Sequence, residues 1–247
     1  METIDVSALL EIENISRSFE ALWAVRDVSF AVEKGELLGL IGPNGAGKST
    51  LYNLIAGVLK PTRGSISFAG QDVTRWPAYK MARVGVARTF QIPKPYRQIS
   101  VIENVMLSAF QSERSLAGAR ALAEATLADV GLADYAGAAI GTLTVGLLKR
   151  LEVARALAMR PSLVLFDEIM AGLTPTEVRT MTGFVAGLPA RGITVVWVEH
   201  VLYAIMTTAS RIIVLNRGEV IAMGAPREVA RNPAVVKAYF GEEMDLA

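Results

Sequence analysis

Five short apolar runs punctuate the chain, each bounded by glycine, proline or charge: LLGLI (37–41), VGVARTF (84–90), LVLF (163–166), ITVVWV (193–198) and RIIVL (211–215). Helical stretches of about ten residues or more separate most of them. Strands buried on both faces read as continuous apolar runs, so this alternation predicts an α/β core around a mainly parallel sheet. Three other pieces, LEIENIS (10–16), DVSFAV (27–32) and SISFAG (65–70), alternate apolar with polar residues. Such alternation belongs to a half-exposed antiparallel sheet, here an added N-terminal β lobe. From about Ile99 to Arg160 the pattern turns helical, through SVIENVMLSAF, ARALAEATLADVGL and LTVGLLKRLEVARAL, with no strand pattern among them. One domain spanning 1–247 is expected, with core and β lobe in about 1–98 and 161–247 and a helical subdomain in about 99–160. The last segment, NPAVVKAYFGEEMDLA, reads as a short helix with an acidic end.

Composition narrows the chemistry. Lys plus Arg number 25 against 24 Asp plus Glu in 247 residues, a net charge of +1 that gives no reason to expect nucleic acid or an anionic membrane surface as a partner. The absence of cysteine excludes disulfides, thiolate zinc sites and cysteine nucleophiles, and accords with a reducing cytoplasm. Although 52% of residues are hydrophobic, no apolar run approaches the roughly 20 residues that span a bilayer. The opening METIDVSALLEIENIS carries acids and no basic segment ahead of an apolar core, so no secretory leader is expected.

The run GPNGAGKST follows a predicted strand and opens a predicted helix. A phosphate needs a chain that curls around it with N–H groups turned inward, and Gly42, Gly45 and Gly47 permit that curl through Pro43, Asn44 and Ala46. The helix N-terminus adds its dipole. Lys48 is placed to meet β- and γ-phosphate oxygens, the Ser49 hydroxyl to ligate Mg²⁺, and Thr50 to cap the helix or touch phosphate. A glycine turn with a chance lysine explains the spacing less well.

LVLFDE sets four apolar residues before Asp167 and Glu168 at a strand's carboxyl end. Buried carboxylates are costly unless paired or metal-bound. Beside a phosphate cradle, Asp167 is expected to hold Mg²⁺ and Glu168 to polarise the attacking water as general base. Gln91 and His200 follow two other predicted strands, and ligands of open parallel sheets gather beyond such strand ends. Gln91 is thus a candidate Mg²⁺ or water contact. His200, the chain's only histidine, is a candidate hydrogen-bond donor to the γ-phosphate or the water, the alternative being a satisfied structural imidazole.

The stretch LTVGLLKRLEVARAL has Leu147, Leu151, Ala154 and Ala158 at helical spacing, with Lys149, Arg150, Glu152 and Arg155 pointing elsewhere. It opens on Thr144, Val145 and Gly146, which read either as the cap of a plain core helix or as a helix N-terminus shaped for an anion. Taken in order with GPNGAGKST, Gln91, LVLFDE, AGLT and His200, it resembles the motif set of ATP-binding cassette ATPases along nearly the whole chain. VARTFQ, SVIENV, GLTPTEVR, VEH and NPAVVKAYFGEE are most similar to the ATPase subunits of branched-chain amino acid importers.

That resemblance implies a P-loop fold and a cytoplasmic ATPase peripheral to the inner face of the cell membrane. ATP and Mg²⁺ are its implied cofactors. Its implied partners are a second ATPase chain, identical or paralogous, transmembrane permease subunits and, indirectly, an extracytoplasmic binding protein. It also implies that Thr144, Val145 and Gly146 close over the γ-phosphate held by the other chain of a head-to-tail dimer. Phe19 resembles the aromatic that stacks on adenine, with Trp23 as its competitor. The chain departs from the usual pattern in four places. Thr144-Val145-Gly146-Leu147 stands for Ser-Gly-Gly-Gln, Ile169 for a proline, Thr174 for an Asp, and Val201 for an acid after the histidine. An exporter ATPase of the lipopolysaccharide type and a non-transport switch of the same ATPase class are the alternative readings.

Overall fold

The structure, a computed structural model, describes residues 8–240. The segments 1–7 and 241–247, including the expected acidic end, lie outside the described residues. In chain order the strands are β1 (Ala8–Phe19), β2 (Leu22–Glu33), β3 (Leu37–Ile41), β4 (Arg63–Phe68), β5 (Gln71–Asp72), β6 (Val86–Arg88), β7 (Leu163–Asp167), β8 (Thr194–Val198), β9 (Arg211–Asn216) and β10 (Glu219–Gly224). The α-helices are α1 (Lys48–Ile55), α2 (Ala78–Arg83), α3 (Val101–Ala109), α4 (Leu116–Asp129), α5 (Val145–Leu157), α6 (Pro175–Ala186), α7 (Leu202–Thr208), α8 (Pro226–Ala230) and α9 (Pro233–Phe240).

Two sheets result. The first runs β2-β1-β4-β5, antiparallel throughout, with Ile12 opposite Phe30 on one side and Ile66 on the other. The second runs β10-β9-β3-β8-β7-β6. Its five strands from β9 to β6 are parallel, and β10 closes the edge as an antiparallel hairpin with β9. All five apolar runs of the sequence lie in the parallel part. The turn of that final hairpin is Arg217-Gly218, both at positive φ (49° and 84°).

The two-residue side-chain period of a strand divides the core between the faces of the mixed sheet. Leu38, Leu40, Leu163, Leu165, Val196 and Val198 pack with α1 and the antiparallel sheet. Leu37, Ile41, Val164, Phe166, Val195 and Trp197 pack with α3 to α7. Trp197, with no exposed surface, is the largest of these plugs, and truncating a buried Trp to Ala costs about 3–5 kcal/mol. Tyr52 of α1 pins the helix to the sheet, its hydroxyl donating to the carbonyls of Thr89 (2.6 Å) and Leu165 (3.1 Å).

The helices α3, α4 and α5 form a block in which Val101, Val105, Ala119, Ala123, Leu127, Leu151 and Ala154 interlock with essentially no exposure. Small residues at 119 and 123 let α4 lie close to α3. Serine caps start both helices: Ser100 forms a reciprocal box with Glu103, and Ser115 accepts the Gly118 N–H.

One sequence expectation is corrected here. The charged face expected for α5 is only partly exposed, since Lys149 and Glu152 are 3% exposed. The helix is wedged between the helical block and the sheet, and both charges find polar partners there.

Candidate active site

The loop between β3 and α1 wraps on itself. Gly42, Gly45 and Gly47 have φ of 152°, 78° and 101°, values that L side chains rarely adopt. A Cβ at Gly42 would stand 2.1 Å from the Leu215 carbonyl oxygen, and one at Gly47 would stand 2.3 Å from that of Ala24. These two glycines are therefore required by backbone packing as well as by the curl. Lys48 is 5% exposed and donates from Nζ to the carbonyls of Gly42 (2.7 Å) and Pro43 (3.0 Å). Its ammonium is thus held at the mouth of the loop. Burial lowers its pKa, while the nearby Glu168 and Asp167 work in the opposite direction.

A cavity of about 460 Å³ adjoins the loop, lined by Gly45 to Thr50 on one side and by Leu22, Trp23 and Arg217 on the other. This volume lies in the range of small-molecule sites. Trp23 lines it and Phe19 does not. Phe19 stands at the end of β1, 43% exposed, with the Arg17 guanidinium 4.7 Å from its ring centre.

At the carboxyl end of β7, Asp167 and Glu168 take separate environments. Asp167 Oδ1 is buried and has no hydrogen-bond partner, an unpaid desolvation that a cation would relieve. Burial raises the Asp167 pKa, and the neighbouring Glu168 charge raises it further, against Lys149, Arg88 and Lys48. Those donors fit Mg²⁺, a hard ion that takes oxygen ligands and keeps part of its shell for phosphate and water. Asp167, the Ser49 hydroxyl and Gln91 are the residues that would hold it. Among the described residues no cluster of three or more His, Cys, Asp or Glu forms a metal cage, as a site completed by nucleotide would require none.

Glu168 has φ +47°, a strained backbone conformation. Its Oε1 lies 2.9 Å from His200 Nε2, and its Oε2 accepts the Gln91 side-chain amide. The three polar residues expected at separate strand ends therefore meet at one carboxylate. They reach it from loops, since β6 ends at Arg88 and β8 at Val198, three and two residues short of Gln91 and His200.

Sequence reasoning missed Glu199, which is 2% exposed and accepts the backbone N–H groups of Met170 (2.8 Å), His200 (3.1 Å) and Val201 (3.4 Å). Burial raises its pKa and those three N–H groups pull it down. The signal was present: Val201, where the family often has an acid, cannot cap α7, and the acid one residue before the histidine takes its N–H instead. Lys149 was missed as well. Its Nζ donates to the carbonyls of Gln91 and Glu168, the latter at 3.0 Å.

The stretch from Thr144 stands apart from this cluster. Thr144 is the N-cap of α5, its Oγ1 accepting the Leu147 N–H at 3.3 Å. The N–H groups of Val145 and Gly146 belong to the first turn, which has no acceptor within the helix. Val145 is 53% exposed. Gly146 is pinned from behind, since a Cβ there would meet Glu177 Oε1 at 2.2 Å. Thr174, in place of the family's frequent Asp, caps α6 in a box with that same Glu177. Ile169 is fully buried in the core, so the proline it replaces is exchanged for packing.

Comparison with known proteins fits this geometry. The family model described as ABC transporter matches residues 25–171, and that described as Branched-chain amino acid ATP-binding cassette transporter matches residues 219–245. The branched-chain amino acid transport ATP-binding proteins BraF of Pseudomonas aeruginosa and LivG of Escherichia coli are each 34% identical over 250 residues, covering 95% of this chain and 98% of theirs. The lipopolysaccharide export ATP-binding protein LptB of Acidithiobacillus ferridurans is 33% identical, covering 98% of this chain and all of its own. Among solved structures, a nucleotide-free ATP-binding cassette from an ABC transporter superposes with a TM-score of 0.85 at 31% identity, covering 95% of this chain and 100% of that one. A dimeric post-hydrolysis state of the cassette MJ0796 bound to ADP and Pi superposes at 0.81 with 26% identity, covering 88% and 99%. Glycine-rich cradle, buried cation, carboxylate cluster and full-length similarity converge: this chain belongs to the ABC transporter family, as an ATP-hydrolysing subunit.

Proposed function

We propose that the chain is one ATPase domain of a small-solute importer of the branched-chain amino acid type, working at the inner face of the cell membrane beside permease subunits. It would receive its cargo signal indirectly, from an extracytoplasmic binding protein through those permeases. The observation that carries the hydrolytic assignment is the meeting of Glu168, His200 and Gln91 beside the Lys48 loop. ATP phosphates would lie in Gly42, Pro43, Asn44, Gly45, Ala46, Gly47, Lys48, Ser49 and Thr50. Mg²⁺, when bound, would neutralise phosphate charge. Glu168 accepts a proton as water attacks the γ-phosphorus, the bond to the β–γ bridging oxygen breaks, and ADP leaves with its charge held by Lys48. His200 donates to the γ-phosphate or the water, and Gln91 orients that water.

At the start of α5, Thr144 and Val145 are exposed while Gly146 is buried, and the Val145 and Gly146 N–H groups have no acceptor within the helix, the arrangement that binds anions. We propose that it receives the γ-phosphate held by a second copy of this chain in a head-to-tail pair; a paralogous ATPase would fill the same place. Phosphate bridging two chains supplies the differential contact that favours the closed state. A cleft lined by Ala78, Ala82, Phe90 and Met159 together with the charged Arg88, Glu152 and Arg155 would take a permease segment that carries both apolar and polar groups. No described helix is long and apolar enough to cross a membrane. The similarity to BraF and LivG favours an importer, and that to LptB keeps the exporter as the second reading.

Glu168→Gln tests the reading. It is expected to bind ATP, to sediment as a two-chain particle with ATP present, and to hydrolyse at least about 100-fold more slowly. Normal turnover in that variant would end the assignment.

A further inference from the structure

We propose that Lys149 and Glu199 form a buried charge bracket that positions Glu168 and His200 for hydrolysis. The proposal rests on the reading of Glu168 as the water-activating base. Both side chains are nearly inaccessible, at 3% and 2% exposed, and neither touches the cavity beside the cradle. Each instead spends its charge on backbone. Lys149 holds the carbonyl oxygens of Gln91 and Glu168. Glu199 holds the N–H groups of Met170, His200 and Val201.

Together they grip every loop of the cluster. The Glu168 turn is held at two points, by Lys149 at the Glu168 carbonyl and by Glu199 at the Met170 N–H. This matters because Glu168 sits at φ +47°, a strained conformation that persists only where its surroundings impose it. A buried ion is costly, and the hydrogen bonds that each of the two makes to backbone groups offset that cost.

The bracket has a direction. Lys149 lies on the helix that Thr144 caps, about 7.5 Å along its axis from Thr144 and about 4.5 Å from Gly146 at 1.5 Å per residue. A rigid shift of α5, when its first turn meets phosphate, moves Lys149 and therefore the Gln91 and Glu168 carbonyls. Lys149 and Glu199 are thus positioning residues, acting through groups that touch the reactants.

The test is a KM-against-kcat split in the full chain. Lys149→Met and Glu199→Gln are each expected to lower kcat at least tenfold while ATP KM, and the Kd of a fluorescent ATP analogue, stay within twofold. Lys149→Arg keeps the charge and is expected to fall between wild type and Lys149→Met. If Lys149→Met does not fold, Lys149→Arg and Glu199→Asp carry the same test through a several-fold fall in kcat at constant KM. Unchanged kcat, or KM and Kd moving together with kcat, overturns the bracket. A dead Glu168→Gln beside fully active bracket variants overturns the bracket alone. An active Glu168→Gln overturns the base assignment on which it rests.

Discussion

The loop at Gly42–Thr50 and the stretch at Thr144–Gly146 are both loops feeding a helix N-terminus, yet they are built to opposite ends. In the first, the cation is buried and bonded to the loop's own carbonyls, and three glycines carry positive φ. Everything that a phosphate requires is present within one chain. In the second, the cap is satisfied by its own Thr144, the backbone is ordinary, and Val145 is exposed while Gly146 is buried. A helix end can therefore be a pocket or a plug, and side-chain supply around it decides which. The first works from inside; the second, in the function proposed above, is completed by a partner's nucleotide.

Substitutions can break that contrast, and the largest effect is expected at the pocket. Lys48→Ala removes the buried ammonium, so ATP affinity is expected to fall at least about 100-fold, some 2.7 kcal/mol, with hydrolysis lost; equilibrium nucleotide titration measures it. Gly146→Ala, by contrast, is expected to leave the Kd within twofold and lower kcat about 10- to 100-fold, because its Cβ collides with Glu177 and tilts the plug alone. A parallel loss of affinity would erase the distinction between the two regions.

Intermediate effects sort the two aromatics. Trp23 lines the cavity, so Trp23→Ala is expected to weaken ATP binding about fivefold to tenfold, the worth of one stacked ring. Phe19→Ala, at the exposed end of β1, is expected to change it less. The reverse ranking in the same titration would place adenine over Phe19, as the family resemblance implies.

Stability supplies the smallest and sharpest comparison, since the two regions should answer with opposite signs. Thr144→Val deletes a cap and is expected to cost about 1 kcal/mol. Asp167→Asn removes a carboxylate whose folded pKa is raised by burial and Glu168. What such a group contributes to folding is present below the ordinary carboxylate range and lost as pH rises through the raised value, leaving a net cost at neutral pH. Asp167→Asn is therefore expected to raise Tm near pH 7. The gain should vanish below the usual Asp range. Melting curves at the two pH values check the sign.

How much was legible in the sequence follows from the same physics. Buried strands write themselves as apolar runs, so LLGLI, LVLF and RIIVL mapped onto β3, β7 and β9 within a residue. A phosphate loop writes itself through the glycines that only its dihedrals require. The edge strand β10 passed unseen because its apolar run, Val220 to Met223, is only four residues long and buries Ala222 alone. Lys149 and Glu199 escaped for a different reason. A charged residue on a helix is ordinarily a solvated face, so only tertiary packing reveals that Lys149 is spent on loop carbonyls; Glu199, in the loop after β8, left no sign beyond the missing acid at Val201. Sequence patterns report which atoms leave water, and say little about which backbone groups a buried charge will find.

The central claim is that one chain's cradle is completed by another's Thr144–Gly146 turn, and mixing two impaired variants tests it most directly. Lys48→Ala lacks a working cradle and keeps its Thr144–Gly146 turn; Gly146→Ala has the reverse defect. Combined in equal amounts with ATP and Mg²⁺, they can form a pair in which one site has both halves intact. The account predicts that steady-state hydrolysis of the mixture rises well above the sum of the two alone, toward about a quarter of wild type from random pairing. A mixture no more active than its separate components would contradict it.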